Sequence, residues 1–191
     1  MTISLNEAKA HLRIEHIDED AQIVALINAA TKNAESYTGT RIAETSISLK
    51  YSRFGSLPLP APLVSVDQIK YIDTDGVEQT LFDGVGSPIV SSDIYKIVGQ
   101  WDGSGDVCSE PYLTTAYNKS WPETRREEEA VTVVAVAGYS SVKIPDDIRA
   151  ALLLMVGHLY ENREATVPGV SITTLPMGYH ALLNHYKVWR V

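Results

Sequence analysis

The pattern of apolar and polar positions divides the chain into a helical, a β-rich and a second helical zone. Between Asp18 and Gly39, apolar residues recur every three or four positions, which predicts an amphipathic helix that ends at the glycine. A shorter helix precedes it, because Ser4 and Glu7 have the spacing of a capping box. We therefore expect a helical hairpin within residues 1–43, with an apolar face that another element covers.

The pattern changes to a period of two in the middle zone, residues 44–140. The stretch TSISLKYSRF alternates apolar and polar residues, and VDQIKYIDTDGVEQTLF has the pattern of a hairpin that turns at Asp75–Gly76. DIYKIVGQW and AVTVVAVAGY predict further strands, whereas the prolines of SLPLPAPLVSV indicate a connector. The polar stretch from Trp101 to Glu129 predicts an exposed excursion. We expect about 5–6 short strands in an antiparallel sheet, barrel or sandwich.

Helical periodicity returns in residues 141–191. Pro145 suits the first position of a helix, and the residues after it are apolar beyond a single stripe. Such a helix is expected to be buried on more than one side. A final helix is predicted from about Tyr179 to Trp189. The predicted fold class is therefore α+β, with a helical core built from both chain ends and a β-rich antiparallel insert in the middle.

Composition and charge narrow the class of function. The formal net charge is −8 and the Lys and Arg residues are scattered, which argues against a general affinity for nucleic-acid backbones. The uncharged run between Arg149 and His158 is far shorter than the roughly 20 residues that cross a bilayer. The start, MTISLNEAKAHL, lacks the basic and apolar regions of a signal peptide. Cys108 is the single cysteine, so an intramolecular disulfide and a Cys-based zinc site are excluded.

His158 and Glu161 form the strongest candidate for chemistry, because a helix places both on one side, as in di-iron bundles. Such a site needs further carboxylates from partner helices, and the N-terminal helices offer Glu35 and little else. The stretch DTDG from Asp73 lacks the remaining ligands of a calcium loop, so a hairpin turn is favoured. We therefore predict no catalytic residue, metal or cofactor.

Four stretches of the chain together carry a resemblance to a known family. They are ISLNEAKAHLRIE, DEDAQIVALINAATKNAESYTGTRI, LPLPAPLVSVDQIKYIDTDG and VAGYSSVKIPDDIRAALLLMVGHLYENREA. In this combination and order the chain resembles the head–tail connector (adaptor) proteins of tailed bacteriophages and gene-transfer particles. The resemblance covers nearly the whole chain and is weakest from Phe82 to Glu129.

The resemblance implies a structural protein, not an enzyme, that is assembled in the host bacterial cytoplasm into the neck of the virion. Proteins of this family form a dodecameric ring beneath the portal, extend the DNA channel and dock the next neck or tail component. The implied partners are the portal protein, neighbouring copies of the chain, and a stopper or tail-completion protein. DNA is expected to pass through the channel without specific binding, and no membrane is involved.

Two sets of residues are predicted to form interfaces. The C-terminal tail carries residue types that anchor interfaces, and we expect it to dock against the portal. An equally open interpretation is that its aromatic residues complete the intramolecular core. The predicted portal-docking residues are Tyr186, Lys187, Trp189 and Arg190, and the predicted inter-subunit residues are Arg149, Glu161, Arg163 and Glu164.

Three other functions remain open from the sequence, and one of them is an enzyme with a metal at His158 and Glu161. A stopper or tail-completion protein would occupy an adjacent position in the same neck. A β-sandwich module that binds carbohydrate or another surface would need exposed aromatic residues on the sheet, for which Trp101, Tyr112 and Trp121 are the candidates.

Overall fold

The computed structural model of the chain describes residues 2–84, 95–99, 110–139, 144–162 and 177–188. The chain divides into two compact units. A helical unit combines Met1–Ala43 with Tyr139–Val191, and a β-rich unit is formed by Glu44–Gly138. The predicted α+β class, with helices from both chain ends and a β-rich middle, is confirmed.

The N-terminal helices begin and end where local capping residues dictate. Helix α1 spans Leu5–Leu12, and the Ser4 hydroxyl accepts the N–H of Glu7 at 3.2 Å. Helix α2 spans Asp20–Thr38 and ends at Gly39, whose positive φ of 73° suits a glycine. Its start is two residues later than predicted, because Asp18 belongs to the loop between the helices.

The C-terminal part of the helical unit contains α3, Asp146–Glu161, and α4, Met177–Leu183, which continues as a short 3₁₀ turn, Asn184–Tyr186. Pro145 lies at the cap before α3 rather than at its first helical position. The predicted final helix is shorter than expected. Lys187 adopts an extended conformation, and the N–H of Val188 donates to the carbonyl of Thr38 at 2.8 Å.

The core of the helical unit is formed by the apolar faces of α2, α3 and α4. Complete burial of a Val, Leu, Ile, Phe or Met side chain stabilises a fold by about 1.5–3 kcal/mol. The most completely buried large side chains in this core are Ile23, Ile27, Ile148, Leu152, Tyr179 and Leu183.

The described part of the β-rich unit contains seven strands in two antiparallel sheets. The larger sheet has the order β1-β7-β3-β4 and the smaller has the order β2-β6-β5. The strands are β1 Thr45–Tyr51, β2 Leu57–Pro58, β3 Leu63–Ile72, β4 Glu78–Asp83, β5 Tyr95–Val98, β6 Tyr112–Thr115 and β7 Val131–Ala137.

Strand β7 is an interior strand of the larger sheet, and its residues alternate between full and partial burial. Val131, Val133 and Ala135 are fully buried, and the residues between them are half-buried. The predicted hairpin at Asp75–Gly76 joins β3 and β4. Two strands lie where the sequence predicted a connector and an excursion: β2 and β6 pair with each other, and Leu113 of β6 is fully buried.

The carboxylate of Asp73 organises the β3–β4 turn. It accepts the N–H groups of Asp75 at 3.0 Å and Val77 at 2.9 Å and the Gln79 side-chain amide at 2.8 Å. These hydrogen bonds, the one from Gln79 foremost, lower the pKa of Asp73 below its ordinary value. The stretch DTDG, which was considered as a calcium loop, thus forms a hairpin turn.

Candidate functional site

The end of α3 carries the pair that was considered as a metal site. The Asn162 side-chain amide donates to the His158 carbonyl at 2.9 Å and lies 3.3 Å from Nδ1 of the same residue. Glu161 is exposed. Across the described ranges, no group of three or more His, Cys, Asp or Glu residues could hold a metal ion. Arg163 and Glu164 lie outside the described residues.

Arg149 has a partner within its own chain. Its Nη1 lies 3.0 Å and 3.1 Å from the two carboxylate oxygens of Glu7, and both side chains are 28 % exposed. This ion pair joins the first part of α3 to α1. The contact of Arg149 with a neighbouring subunit therefore stays a prediction. Such a contact would have to use the exposed part of the Arg149–Glu7 pair.

The residues predicted to dock the portal have different environments. Tyr186 is buried, with 6 % of its surface exposed, so its ring belongs to the core of the helical unit. The Lys187 ammonium lies 4.8 Å from the centre of the Tyr37 ring, a cation–π contact at the end of α2. Trp189 and Arg190 lie outside the described residues. No observation on these four residues tests portal docking, which stays a prediction.

An aromatic cluster joins the end of α2 to α4. The Tyr37 hydroxyl donates to Oδ1 of Asn184 at 2.6 Å, and the Tyr37 ring lies 4.6 Å from the ring of His180. The Tyr179 hydroxyl donates to Oδ1 of Asn33 at 2.8 Å, and burial raises the pKa of Tyr179 to about 12. Together with the hydrogen bond of Val188, this cluster places the last described residues against α2.

Glu35 has a structural role that the sequence did not reveal. Its buried carboxylate accepts the N–H groups of Ile42 at 3.0 Å and Ala43 at 3.2 Å and the Lys32 ammonium at 2.9 Å. Burial alone would raise the pKa of Glu35, but the hydrogen bonds from Lys32, Ile42 and Ala43 lower it below its ordinary value. Glu35 thus fixes the segment that follows α2.

The loop between α1 and α2 is held at both ends and presents an apolar side chain. The Lys9 ammonium donates to the carbonyl of His16 and to the carboxylate of Asp20, both at 2.6 Å. The Tyr160 hydroxyl donates to the carboxylate of Glu19. Between these anchors Ile17 is 76 % exposed.

One flank of α3 is also apolar and exposed. Leu154 is 37 % exposed and Ala150 is exposed beside it. Gly178 of α4 is also exposed. It lies close to Leu154, because a Cβ added to this glycine would be 4.0 Å from Cδ1 of Leu154. The sequence predicted burial of α3 on more than one side, and the described part of the chain leaves this flank open.

The aromatic residues of the β-rich unit bear on the surface-binding alternative. The Trp121 ring stacks on Phe54 with centres 4.6 Å apart, and its N–H donates to the Gly55 carbonyl at 3.2 Å. Tyr112 is 37 % exposed, and Tyr117, which was not among the predicted candidates, is 91 % exposed. Trp101 lies outside the described residues. Trp121 is therefore used for packing, and its stacked face is not available to a sugar.

Three features of the helical unit stand out among the described residues. They are the held loop around Ile17, the open flank of α3 and the end of α2 with its C-terminal segment. Within the described ranges, no helix is both long and apolar enough to cross a bilayer. These three are surface features of a chain whose described part has an α+β fold.

Comparison with known proteins specifies this class further. Residues 2–71 match the model of the family described as phage gp6-like head-tail connector protein, which confirms the predicted resemblance. No match to the sequence is found among curated proteins.

Solved structures share the fold over the entire chain. A chain in the neck of an empty gene transfer agent (GTA) particle, computed with C6 symmetry, is 23 % identical with a TM-score of 0.71. A chain in the neck of the native particle, computed with C12 symmetry, is 20 % identical with a TM-score of 0.68. A chain of the native GTA virion is 22 % identical with a TM-score of 0.69. Each match covers 100 % of this chain and 91 % of the other.

Proposed function

We propose that this protein is a structural head–tail connector of a tailed-phage-like particle and has no enzymatic activity. The observation that carries the proposal is the agreement of two independent comparisons. The N-terminal residues match a connector family, and the whole chain has the fold of a chain in the neck of a gene transfer agent particle. The protein would act in the virion neck after assembly in the bacterial cytoplasm.

Copies of the chain form a ring in this proposal. The necks with similar chains were computed with C6 and C12 symmetry, which supports a cyclic arrangement with a dodecamer as the expected size. In a ring, each copy contacts the next through two different surfaces, one on each side. The channel of such a ring extends the path of the DNA, and the net charge of −8 disfavours adhesion of the phosphate backbone.

The portal protein is the proposed partner on one side of the ring, and a stopper or tail-completion protein is the proposed partner on the other. The tail residues Trp189 and Arg190 are proposed to contact the portal. Support comes from the residues just before them, because the hydrogen bond from Val188 to Thr38 gives the tail a defined starting point. The charged residues at the end of α3 are proposed to contact a neighbouring copy, namely Glu161, Arg163 and Glu164.

Removal of the gene from a particle-producing strain tests the function directly. The strain is expected to produce DNA-filled heads and separate tails, and a plasmid copy of the gene should restore joined particles. An empty plasmid provides the matched control. Complete, joined particles in the absence of the gene would contradict the proposal.

A further inference from the structure

The charged residues of the chain are divided unequally between its two units. The β-rich unit, Glu44–Gly138, contains 14 of the 24 Asp and Glu residues and seven of the 16 Lys and Arg residues, so its formal net charge is −7. The helical unit contains the other ten acidic and nine basic residues, so its formal net charge is −1. Almost the whole excess of negative charge therefore belongs to the β-rich unit.

Ion pairs within the β-rich unit leave this excess on its surface. A pair of opposite charges adds nothing to the net charge, and basic side chains of the unit are used in such pairs. The pairs are Lys50 with Glu129, Lys70 with Glu78 and Arg125 with Glu127. Glu123 and Glu128 are exposed and belong to none of the ion pairs between described residues. Their carboxylates therefore contribute to the uncompensated negative charge.

Rotational symmetry sets units of like charge around the same axis. In a cyclic ring, every β-rich unit lies at the same distance from the axis and has an identical unit on each side of it. The energy of repulsion between two units is proportional to the product of their charges. At equal distance and screening, two β-rich units therefore repel about 49 times more strongly than two helical units, since their charges are −7 and −1.

We propose that repulsion between the β-rich units of neighbouring copies opposes closure of the ring, and that salt ions promote closure by screening it. This inference rests on the proposed function, because it concerns copies in the proposed ring. The screening length is about 30 Å at 0.01 M salt and about 3 Å at 1 M. The repulsion thus acts between neighbouring units at low ionic strength and is suppressed at high ionic strength.

Neutralisation of two exposed carboxylates in each unit tests the proposal. Glu123→Gln with Glu128→Gln changes the net charge of the β-rich unit from −7 to −5, which lowers the product of the charges on two copies by about half. The matched control is Glu15→Gln with Asp147→Asn, two exposed residues of the helical unit. The control changes that unit from −1 to +1 and leaves the product unchanged, although both variants have the same total charge.

Each chain is mixed with the portal protein, and electron microscopy gives the fraction of decorated portals that carry a complete ring. At about 0.01 M salt, we expect this fraction to be at least threefold higher for the β-rich-unit variant than for the unsubstituted chain, and unchanged for the control. At about 1 M salt, the three chains should agree, because the charges are screened. No gain by the β-rich-unit variant at low salt, or an equal gain by the control, would overturn the inference.

Binding of single copies separates repulsion between copies from contact with the portal. With fewer than one chain per portal, copies do not meet, and the three chains should bind the portal equally. Stronger binding of the Glu123→Gln, Glu128→Gln chain under this condition would assign the gain to the portal, which would overturn the proposed repulsion and leave the connector function in place. A portal that none of the chains decorates at any salt concentration would overturn the connector function, and this inference with it.

Discussion

Oε1 of Glu35 accepts the backbone N–H of Ile42 at 3.0 Å, seven residues further along the chain. The same oxygen lies 3.2 Å from the N–H of Ala43, so one buried carboxylate satisfies two backbone donors where the chain leaves the N-terminal helices. The side chain of Glu35 is 6 % exposed and also contacts Lys32. We therefore expect Glu35 to contribute to the free energy of unfolding and to its dependence on pH.

Replacement of Glu35 by Ala should lower the free energy of unfolding by about 1–3 kcal/mol, because the N–H groups of Ile42 and Ala43 would be left without their acceptor. Denaturant unfolding followed by circular dichroism measures the change. Ser36→Ala is the matched control, since Ser36 is the exposed neighbour on the same helix and should change the value by less than about 0.5 kcal/mol. Equal stability of the two variants would contradict the role of Glu35.

Stability should also depend on pH through the same carboxyl group. The pKa of Glu35 in the folded protein is below its ordinary value of 4.5, so the folded state binds this proton less readily than the unfolded state. Its stabilising contribution is therefore complete above the ordinary pKa and is lost as the pH falls through the folded pKa. Glu35→Gln should reduce the loss of stability between neutral and strongly acidic pH.

Unfolding free energies of the wild type and Glu35→Gln at matched pH values measure this difference. Asp73, whose pKa is also lowered, is present in both proteins and cancels in the comparison. If the two curves run parallel down to the acid transition, Glu35 is not the source of the pH dependence.

Neighbouring residues of the C-terminal segment should separate folding from docking. Tyr186 is buried in the helical unit, so Tyr186→Ala should lower the free energy of unfolding by about 3–5 kcal/mol. The double variant Trp189→Ala, Arg190→Ala is predicted to weaken binding to the portal at least tenfold. Unfolding curves and portal co-sedimentation give the two readouts. Normal portal binding by the double variant would show that the tail is not the docking element.

The pair of Arg149 and Glu7 distinguishes intramolecular from inter-subunit roles. Both side chains are partly exposed, so a double-mutant cycle should give a coupling energy below about 1 kcal/mol in the monomer. If Arg149 also contacts a neighbour, Arg149→Ala should reduce ring assembly more than Glu7→Ala does, at equal monomer stability. The same assembly yield from both variants would show that Arg149 does not contact a neighbouring copy in the ring.

Features that depend on residues close in sequence were predictable. The cap at Ser4, the terminating Gly39 and the turn at Asp75–Gly76 are local, and the strand β7 follows from a short apolar run rich in β-branched valine. In each case, a few neighbouring residues determine the backbone conformation. The structure therefore agrees with the predicted type of these elements, and differs mainly at the ends of the helices.

Features that depend on distant residues were missed. Strand β2 exists because Leu57 pairs with Leu113, and no local pattern in a proline-rich stretch reveals a partner so far along the chain. The last helix ends earlier than predicted, and the N–H of Val188 donates to the distant carbonyl of Thr38. The role of Glu35 likewise requires the N–H groups of the segment after the helix. A carboxylate on the apolar face of a helix is the one sequence signal that could have identified it.

Electron microscopy of the purified chain mixed with its portal protein tests the connector function most directly. The account predicts a ring of this protein on the tail-side end of the portal, with density that fits both the helical unit and the β-rich unit in every copy. A portal that remains undecorated at concentrations where the chain is folded, or decoration by single copies without a ring, would contradict it.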